Sequence, residues 1–177
     1  MFKLYPDINN YNYIIINRLV KCLNNVNEIF NDAIRNNYIE LVKILLKDKR
    51  IDPSDIDNLV IQLASDNGYL EIVKLLLKDK RVDPSDSYNL AIRWASEKGC
   101  TEVVKLLLKD KRVDPSDFYN YAIRWATKNG HLEVVKLLLK DKRVDPSKCN
   151  NNAIHWASEF GHTKVVKLLL TDKRVEI

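Results

Sequence analysis

Residues 79–85 read Asp-Lys-Arg-Val-Asp-Pro-Ser, and the same seven residues return at 110–116 and 141–147. A fourth copy at 48–54 has Ile51 in place of Val, and a truncated copy occupies 172–175. Successive copies start 31 residues apart. A fixed period of about 30 residues is typical of a stacked repeat architecture rather than of one globular core. Proteins of this kind usually act by surface recognition, so the period also bears on function.

The composition is that of an ordinary soluble protein. Of the 177 residues, 46% are hydrophobic and 30% are charged, with a formal net charge of +5. This mildly basic balance falls short of the charge of proteins that bind nucleic acid along their whole length. Three cysteines without a close pair predict neither a disulfide framework nor a cysteine-rich zinc site, and they fit a reducing compartment.

The hydropathy pattern gives no membrane or export signal. No apolar run approaches the roughly 18 residues of a membrane-spanning helix. The best candidate, residues 13–16, is interrupted by polar residues and is too short for a secretory signal. We therefore expect no membrane insertion and a location in the cytoplasm of the source or host cell.

The first half of each unit predicts a turn followed by a short helix. In the unit 114–144, Pro115 and Ser116 mark the turn. Apolar residues then recur on one helical face, at Ala122, Ile123, Trp125 and Ala126. A residue that accepts the left-handed conformation ends the helix, and its register holds Gly68, Gly99, Gly130 and Gly161, with Asn37 in the leading copy.

The second half predicts a longer apolar helix that ends at a basic cluster. Its apolar residues in this unit are Leu132, Val134, Val135, Leu137, Leu138 and Leu139. Lys140, Lys142 and Arg143 follow, where cations favour a helix C-terminus. A glutamate three residues before a lysine recurs on the outer face of this helix and gives slight support.

These segments resemble the ankyrin repeat. Residues 130–139 look like that family's Gly-His-Leu-Glu-Val-Val-Lys-Leu-Leu-Leu segment, and residues 152–158 resemble its Thr-Pro-Leu-His-Leu-Ala-Ala helix. The resemblance covers residues 27–177 and implies an all-α solenoid of stacked antiparallel helix pairs with short finger turns and a concave face. It also implies a non-catalytic module that binds a protein partner. The 31-residue Asp-Pro-Ser unit resembles ankyrin arrays of amoebae and giant viruses. If the source is a virus, the resemblance implies that the partner is a host protein.

The repeat register divides the chain into six parts. Residues 1–26 do not align with the repeat and are predicted to form a cap on the first repeat, with a truncated docking module as the alternative. The predicted repeats are a degenerate first copy at 27–51 and then 52–82, 83–113, 114–144 and 145–177. No polar cap follows the last repeat, so end-to-end self-association is a hypothesis for that end.

The unit departs from the family at the start of the first helix. It has 31 residues rather than the usual 33 or so, which predicts shorter fingers. The family's capping threonine is also replaced, by Leu, Tyr or Asn. We predict that the asparagine one residue earlier caps the helix instead, and that replacing such a cap by alanine costs about 1 kcal/mol. These residues are Asn58, Asn89, Asn120 and Asn151.

No arrangement of residues predicts catalysis, a cofactor or a metal. His131 and His162 share one register, and two stacked histidines can contribute to a metal site. Tyr69 and Cys100 fill that register in the other copies, however, and no further ligand completes a set. The resemblance implies a structural role for these histidines. Nucleophile–base motifs and glycine-rich phosphate loops are missing from the sequence, so we expect no enzyme activity.

Two recurrent features are open to more than one interpretation. Trp94, Trp125 and Trp156 occur one per repeat; packing between repeats is favoured, with partial exposure on the concave edge left open. A Lys-Arg pair ends each unit and would form a basic edge that attracts nucleic acid or phosphoinositide. Because aspartates flank these pairs, binding of a polyanion, either nucleic acid or phosphoinositide, is the less favoured alternative.

Residues that differ between copies are the better candidates for recognition, since the uniform ones serve the stacking that every repeat shares. In the resemblance, the turn and first-helix positions face partners along the concave surface. Aromatic and apolar anchors are common at such interfaces. The predicted partner-binding residues are Ile56, Asp86, Tyr88, Asp117, Phe118, Tyr119, Lys128 and Phe160.

Overall fold

A computed structural model describes residues 26–175 as ten α-helices that follow one another in pairs, with no strand in that range. The predicted all-α repeat solenoid is therefore confirmed. The segment 1–25, which holds nearly all of the predicted cap, lies outside the described residues. The helices are α1 Val26–Arg35, α2 Ile39–Leu45, α3 Asp55–Asp66, α4 Leu70–Lys78, α5 Asp86–Glu97, α6 Thr101–Leu107, α7 Asp117–Lys128, α8 Leu132–Leu138, α9 Lys148–Glu159 and α10 Thr163–Leu169.

The core runs unbroken through the stack because each helix meets its counterparts in the neighbouring repeats. First helices pack on first helices, and second helices pack on second helices. The apolar registers predicted from the period are buried throughout, as Ile61, Ile92 and Ile123 illustrate with no exposed surface. The alanine three residues after each of these isoleucines is also fully buried, which lets neighbouring first helices approach closely.

The loop inside each pair confirms the predicted left-handed end of the first helix. Gly99 has φ of +74°, and the next residue, Cys100, donates its backbone N–H to the carbonyl of Ala95 at 2.8 Å. This is the bond that closes a helix behind a left-handed residue. A ring from the next repeat lies against the glycine: a Cβ at Gly99 would be 2.5 Å from Nδ1 of His131.

The second helix of a pair is not consistently the longer one, contrary to the prediction. The first helix spans 12 residues in α3, α5, α7 and α9, but three residues near its start are left-handed and only the last eight form a right-handed helix. The second helix spans nine residues in α4 and seven in α6, α8 and α10. The basic cluster does not prolong the second helix because Asp110 diverts it. Its backbone N–H bonds the carbonyl of Leu107 three residues back, and its carboxylate accepts the N–H of Arg112 at 3.0 Å. Such local bonds from an aspartate compete with helix continuation.

Candidate functional site

In the four Asp-Pro-Ser repeats, each first helix begins with a turn of left-handed backbone. The three residues after its first aspartate or lysine have φ of 51–59° and ψ of 31–59° in all four Asp-Pro-Ser repeats. Left-handed backbone costs L-residues about 1–2 kcal/mol each, and runs of it are rare. A turn that recurs at this cost needs support from its surroundings. It spans residues 56–58, 87–89, 118–120 and 149–151.

In three of the four Asp-Pro-Ser repeats, two side chains of the same repeat hold this left-handed turn. The preceding aspartate accepts the first N–H, as Asp117 does from Phe118 at 2.6 Å. A side chain further along the helix donates to the carbonyl of the second turn residue. Arg124 Nε reaches Tyr119 at 2.9 Å, Arg93 Nη1 reaches Tyr88 at 3.3 Å, and Gln62 Nε2 reaches Asp57 at 2.5 Å.

The third turn residue is the asparagine that we predicted to be an N-cap, and that prediction is wrong. Asn89 adopts φ of +57°, and its side chain bonds the next repeat rather than its own helix. Its Oδ1 accepts the N–H of Asp114 at 2.8 Å, and its Nδ2 donates to Asp117 at 2.9 Å. Asn58 repeats both bonds with the repeat after it. The asparagine therefore joins repeats.

The first two turn residues point into solvent, and they include most of the predicted binding residues. Tyr88 is 70% exposed, Tyr119 73% and Ile56 63%. Phe118 is 44% exposed and its ring centroid lies 6.2 Å from those of both Tyr88 and Tyr119. The left-handed turn thus holds these large apolar side chains at the protein surface.

These rings continue into a ladder along the first helices. From Phe118 the centroid distances are 6.1 Å to Tyr121, 5.2 Å from Tyr121 to Trp125, and 5.6 Å from Trp125 to Trp156. The tryptophan pair crosses from one repeat to the next, in keeping with the packing interpretation. We call the surface from Tyr88 to Trp156, with Tyr119 and Phe160, the aromatic strip.

Three cations lie over ring faces of the aromatic strip. The guanidinium carbon of Arg93 is 4.1 Å from the centroid of Phe118 and 4.4 Å from that of Tyr121. Lys128 Nζ is 4.2 Å from Trp125, and it also faces the more distant rings of Trp156 and Phe160. Arg124 is 5.8 Å from Trp156. Such cation–π contacts are worth about 0.5–2 kcal/mol each, depending on exposure.

Burial at the strip shifts two pKa values. Burial lowers the pKa of Arg93, and its Nε is a buried donor without a hydrogen-bond partner. Burial, together with the hydrogen bond that its hydroxyl donates to Glu97 at 2.7 Å, raises the pKa of Tyr121 to about 12. Both shifts reflect polar groups packed among rings with little water around them.

The structure brings some predicted site residues together and separates others. Tyr88, Phe118, Tyr119, Lys128 and Phe160 belong to the strip. Ile56 lies apart from it and lines a cavity of about 10 Å³ at the first repeat. The carboxylates of Asp86 and Asp117 are half-buried at the contacts between neighbouring repeats, which we call the joints. There they accept hydrogen bonds from Nδ2 of Asn58 and Asn89.

Three residues of the strip were not predicted from the sequence: Arg93, Arg124 and Tyr121. Arg93 and Arg124 share a register with Gln62 and His155, where the ankyrin resemblance implies a structural role. Tyr121 stands where the family has its capping threonine, and no role in binding is predicted for it. The available signal was the spacing of Phe118, Tyr121 and Trp125, three and four residues apart, which places three rings on one helical face.

The arginines of the basic edge act as clamps between repeats. Arg112 forms an ion pair with Asp110 at 2.7 Å and donates Nη1 to the carbonyl of Val82 in the preceding repeat at 2.7 Å. The hydrogen bond from Arg112 lowers the pKa of Asp110. Arg81, Arg143 and Arg174 repeat this arrangement. The mobile charge on this edge is therefore mainly that of the exposed lysines.

The histidines of the shared register bond backbone. His131 Nε2 lies 2.9 Å from the carbonyl oxygen of Glu97, and His162 Nε2 lies 2.8 Å from that of Lys128. Across the described residues there is no group of three or more side chains placed to hold a metal ion. In the same range no helix is long and apolar enough to cross a membrane.

The comparison with protein families agrees with this geometry. The model for ankyrin repeats in three copies matches residues 30–119 and, again, residues 92–177. The chain belongs to the ankyrin repeat family. Ankyrin repeats are generally non-catalytic modules that bind other proteins. A search of curated proteins finds no match to the chain.

Proposed function

We propose that this ankyrin repeat protein binds a protein partner through the aromatic strip and the left-handed turns that flank it. The observation that carries the proposal is the run of rings from Tyr88 to Trp156, which links three repeats and leaves large apolar side chains in water. Exposed aromatic clusters of this kind mark interaction surfaces, and tyrosine and tryptophan are frequent anchors in them.

The strip is also built to remain rigid. Its turn residues are fixed by hydrogen bonds to neighbouring side chains, and its rings are stacked on one another and on cations. A rigid aromatic surface loses little conformational entropy when a partner binds, so more of the contact energy appears as affinity.

The alternative of a polyanion site on the basic edge has less support. Arg81, Arg112, Arg143 and Arg174 each pair with an aspartate and bond a carbonyl of the repeat before them. A phosphate would have to compete with both contacts, so only the lysine of each pair is available to it.

Two narrower proposals rest on the sequence and on the last repeat. The resemblance to amoebal and giant-virus arrays suggests a partner in the cytoplasm of the source or host cell. At the C-terminal end Leu170 is 45% exposed, which supports end-to-end self-association. Sedimentation that shows only monomer at high protein concentration would remove the second proposal.

The main proposal is tested by quantitative affinity capture from source cells with wild type and two variants. Tyr88→Ala/Tyr119→Ala removes exposed rings of the strip, whereas the control Lys80→Ala/Lys111→Ala removes two exposed side chains of the basic edge. We expect one protein to be retained by the control and lost by the ring variant. The purified pair should then show at least about a tenfold rise in Kd for the ring variant. Equal capture by both variants would place the binding surface elsewhere.

A further inference from the structure

The cations of the aromatic strip differ from the other arginines of the fold. At the joints, each arginine has a carboxylate oxygen within 2.6–2.7 Å. Among the described residues, by contrast, Arg93, Arg124 and Lys128 have no carboxylate within the 4.0 Å of an ion pair. These charges are held against apolar rings with no carboxylate at ion-pair distance.

The two acidic residues whose charges act on Arg93 already accept other hydrogen bonds. Glu97 accepts the hydroxyl of Tyr121, and Asp117 accepts Asn89 Nδ2 and the N–H of Phe118. In these positions neither carboxylate lies within the 4.0 Å of an ion pair with Arg93. A carboxylate from outside can approach Arg93 directly, and a charge-assisted bond to a partly desolvated guanidinium is stronger than one in open water.

Rings and unpaired cations are interleaved on this surface. Arg93 lies over the rings of Phe118 and Tyr121, and Lys128 lies over those of Trp125 and Trp156. A chain that crosses this surface would meet both apolar faces and positive charges. Resting on the proposed function, we propose that the partner contributes an extended acidic segment whose carboxylates pair with Arg93, Arg124 and Lys128 and whose aromatic or prolyl residues pack on the exposed rings.

A nucleic acid strand also stacks on rings and pairs with cations. It fits this surface less well because the strip carries acids of its own: Asp86 and Asp117 at the turns, and Glu97 and Glu159 at the helix ends. A backbone with a phosphate at every nucleotide would pass all of them. A peptide can place its carboxylates only where the cations are.

The chain itself supplies the substitution for a test. Gln62 occupies the register of Arg93 and Arg124, and it still bonds the carbonyl of the turn in its own repeat. Glutamine at these positions therefore removes the charge while keeping the support of the turn. The test variant is Arg93→Gln/Arg124→Gln/Lys128→Gln. A matched control, Lys80→Gln/Lys111→Gln/Lys142→Gln, removes the same charge from the basic edge.

The experiment selects binders from a library of random short peptides displayed on phage, with the wild-type chain as bait. We expect the selected peptides to be enriched in Asp and Glu near aromatic or prolyl residues. Their synthetic forms should bind the test variant roughly tenfold more weakly, because three partly exposed ion pairs are lost. The control variant should bind them as wild type does, and added salt should weaken binding to wild type.

Three outcomes would overturn the inference. One is selected peptides without enrichment in acids. Another is equal binding of the peptides by the test variant and wild type. In that case a ring variant, Tyr88→Ala/Phe118→Ala, decides between the two proposals. If the ring variant loses binding, the proposed function stands and only the acidic partner is wrong. If that ring variant also binds normally, both proposals fail. The third is fluorescein-labelled oligothymidylate that displaces the peptides and depends on the same cations, which would favour nucleic acid.

Discussion

The asparagines of the left-handed turns form a graded series within one chain. Asn89 makes two bonds to the next repeat, to the backbone of Asp114 and to the carboxylate of Asp117. Asn120 makes only the first kind of bond, to Asp145, because a lysine stands where the second acceptor would be. Asn151 Oδ1 has no partner. All have φ of 56–58°, so alanine loses the same backbone preference at each.

The expected losses follow from what each alanine removes. Replacing Asn151 should cost least, at most about 1 kcal/mol, because alanine loses the left-handed preference of asparagine but also removes a buried oxygen without a partner. Asn120→Ala should cost about 1 kcal/mol more for a neutral hydrogen bond. Asn89→Ala should cost a further 1.5 kcal/mol or so for the bond to a carboxylate, near the low end of the range because the site is half-buried.

Urea denaturation followed by tryptophan fluorescence and far-UV circular dichroism measures these differences. An unchanged dependence of the unfolding free energy on urea would show that the variants unfold as one unit, so that the midpoints are comparable. In a double-mutant cycle, Asn89→Ala should cost less when Asp117 is already Asn. Equal losses of unfolding free energy at Asn89, Asn120 and Asn151 would refute the role of these asparagines in joining repeats. They would favour a capping role within their own helices.

Gly99→Ala and Gly161→Ala both place a side chain at φ of +74°, at about 1–2 kcal/mol. Only at Gly99 would the new Cβ meet the ring of His131, so Gly99→Ala should lower the urea midpoint more; equal midpoints would mean that the ring moves aside freely. Tyr121 keeps its proton more tightly in the folded state, with a pKa of about 12 against 10.0. Its contribution is therefore complete below pH 10.0 and declines as the pH rises towards about 12. Tyr121→Phe should flatten this alkaline decline in denaturation midpoint, and parallel declines would contradict the assignment.

The period of the sequence was enough to predict the repeats and their inner loops. Gly99 and its counterparts predict the end of a helix by residue type alone, and helical spacing predicts that the isoleucines of the first helices are buried. These features depend on contacts within a few residues, or on contacts that every repeat makes in the same way.

The joints could not be predicted in the same way. Asn58 bonds Asp83, and Arg81 bonds Ile51; these partners are 25 and 30 residues apart, and no local pattern marks such pairs. The left-handed turn was hidden for a related reason. Ile56 is a β-branched residue that disfavours this conformation, so its residue type gives no sign of the turn.

The strip was predicted in part. Exposed rings at Tyr88, Phe118 and Tyr119 were visible as positions that vary between copies. Arg93 was not, because an arginine in a helix whose equivalent is Gln62 reads as a structural substitution. Its value to the site comes from rings of the following repeat, which the sequence does not place beside it.

The three consecutive residues of the left-handed turn are under two different constraints, one from stacking and one from recognition. The third residue is asparagine in every full repeat and bonds the next repeat in all but the last, while most of the outer residues, the first two of each turn, are exposed, up to 73% at Tyr119. Those outer positions can therefore mutate without threatening the fold, and duplication of a unit adds a new pair of them each time. A chain built in this way can change its partner faster than its architecture. The same positions are the natural ones to randomise when a binder is designed on this scaffold.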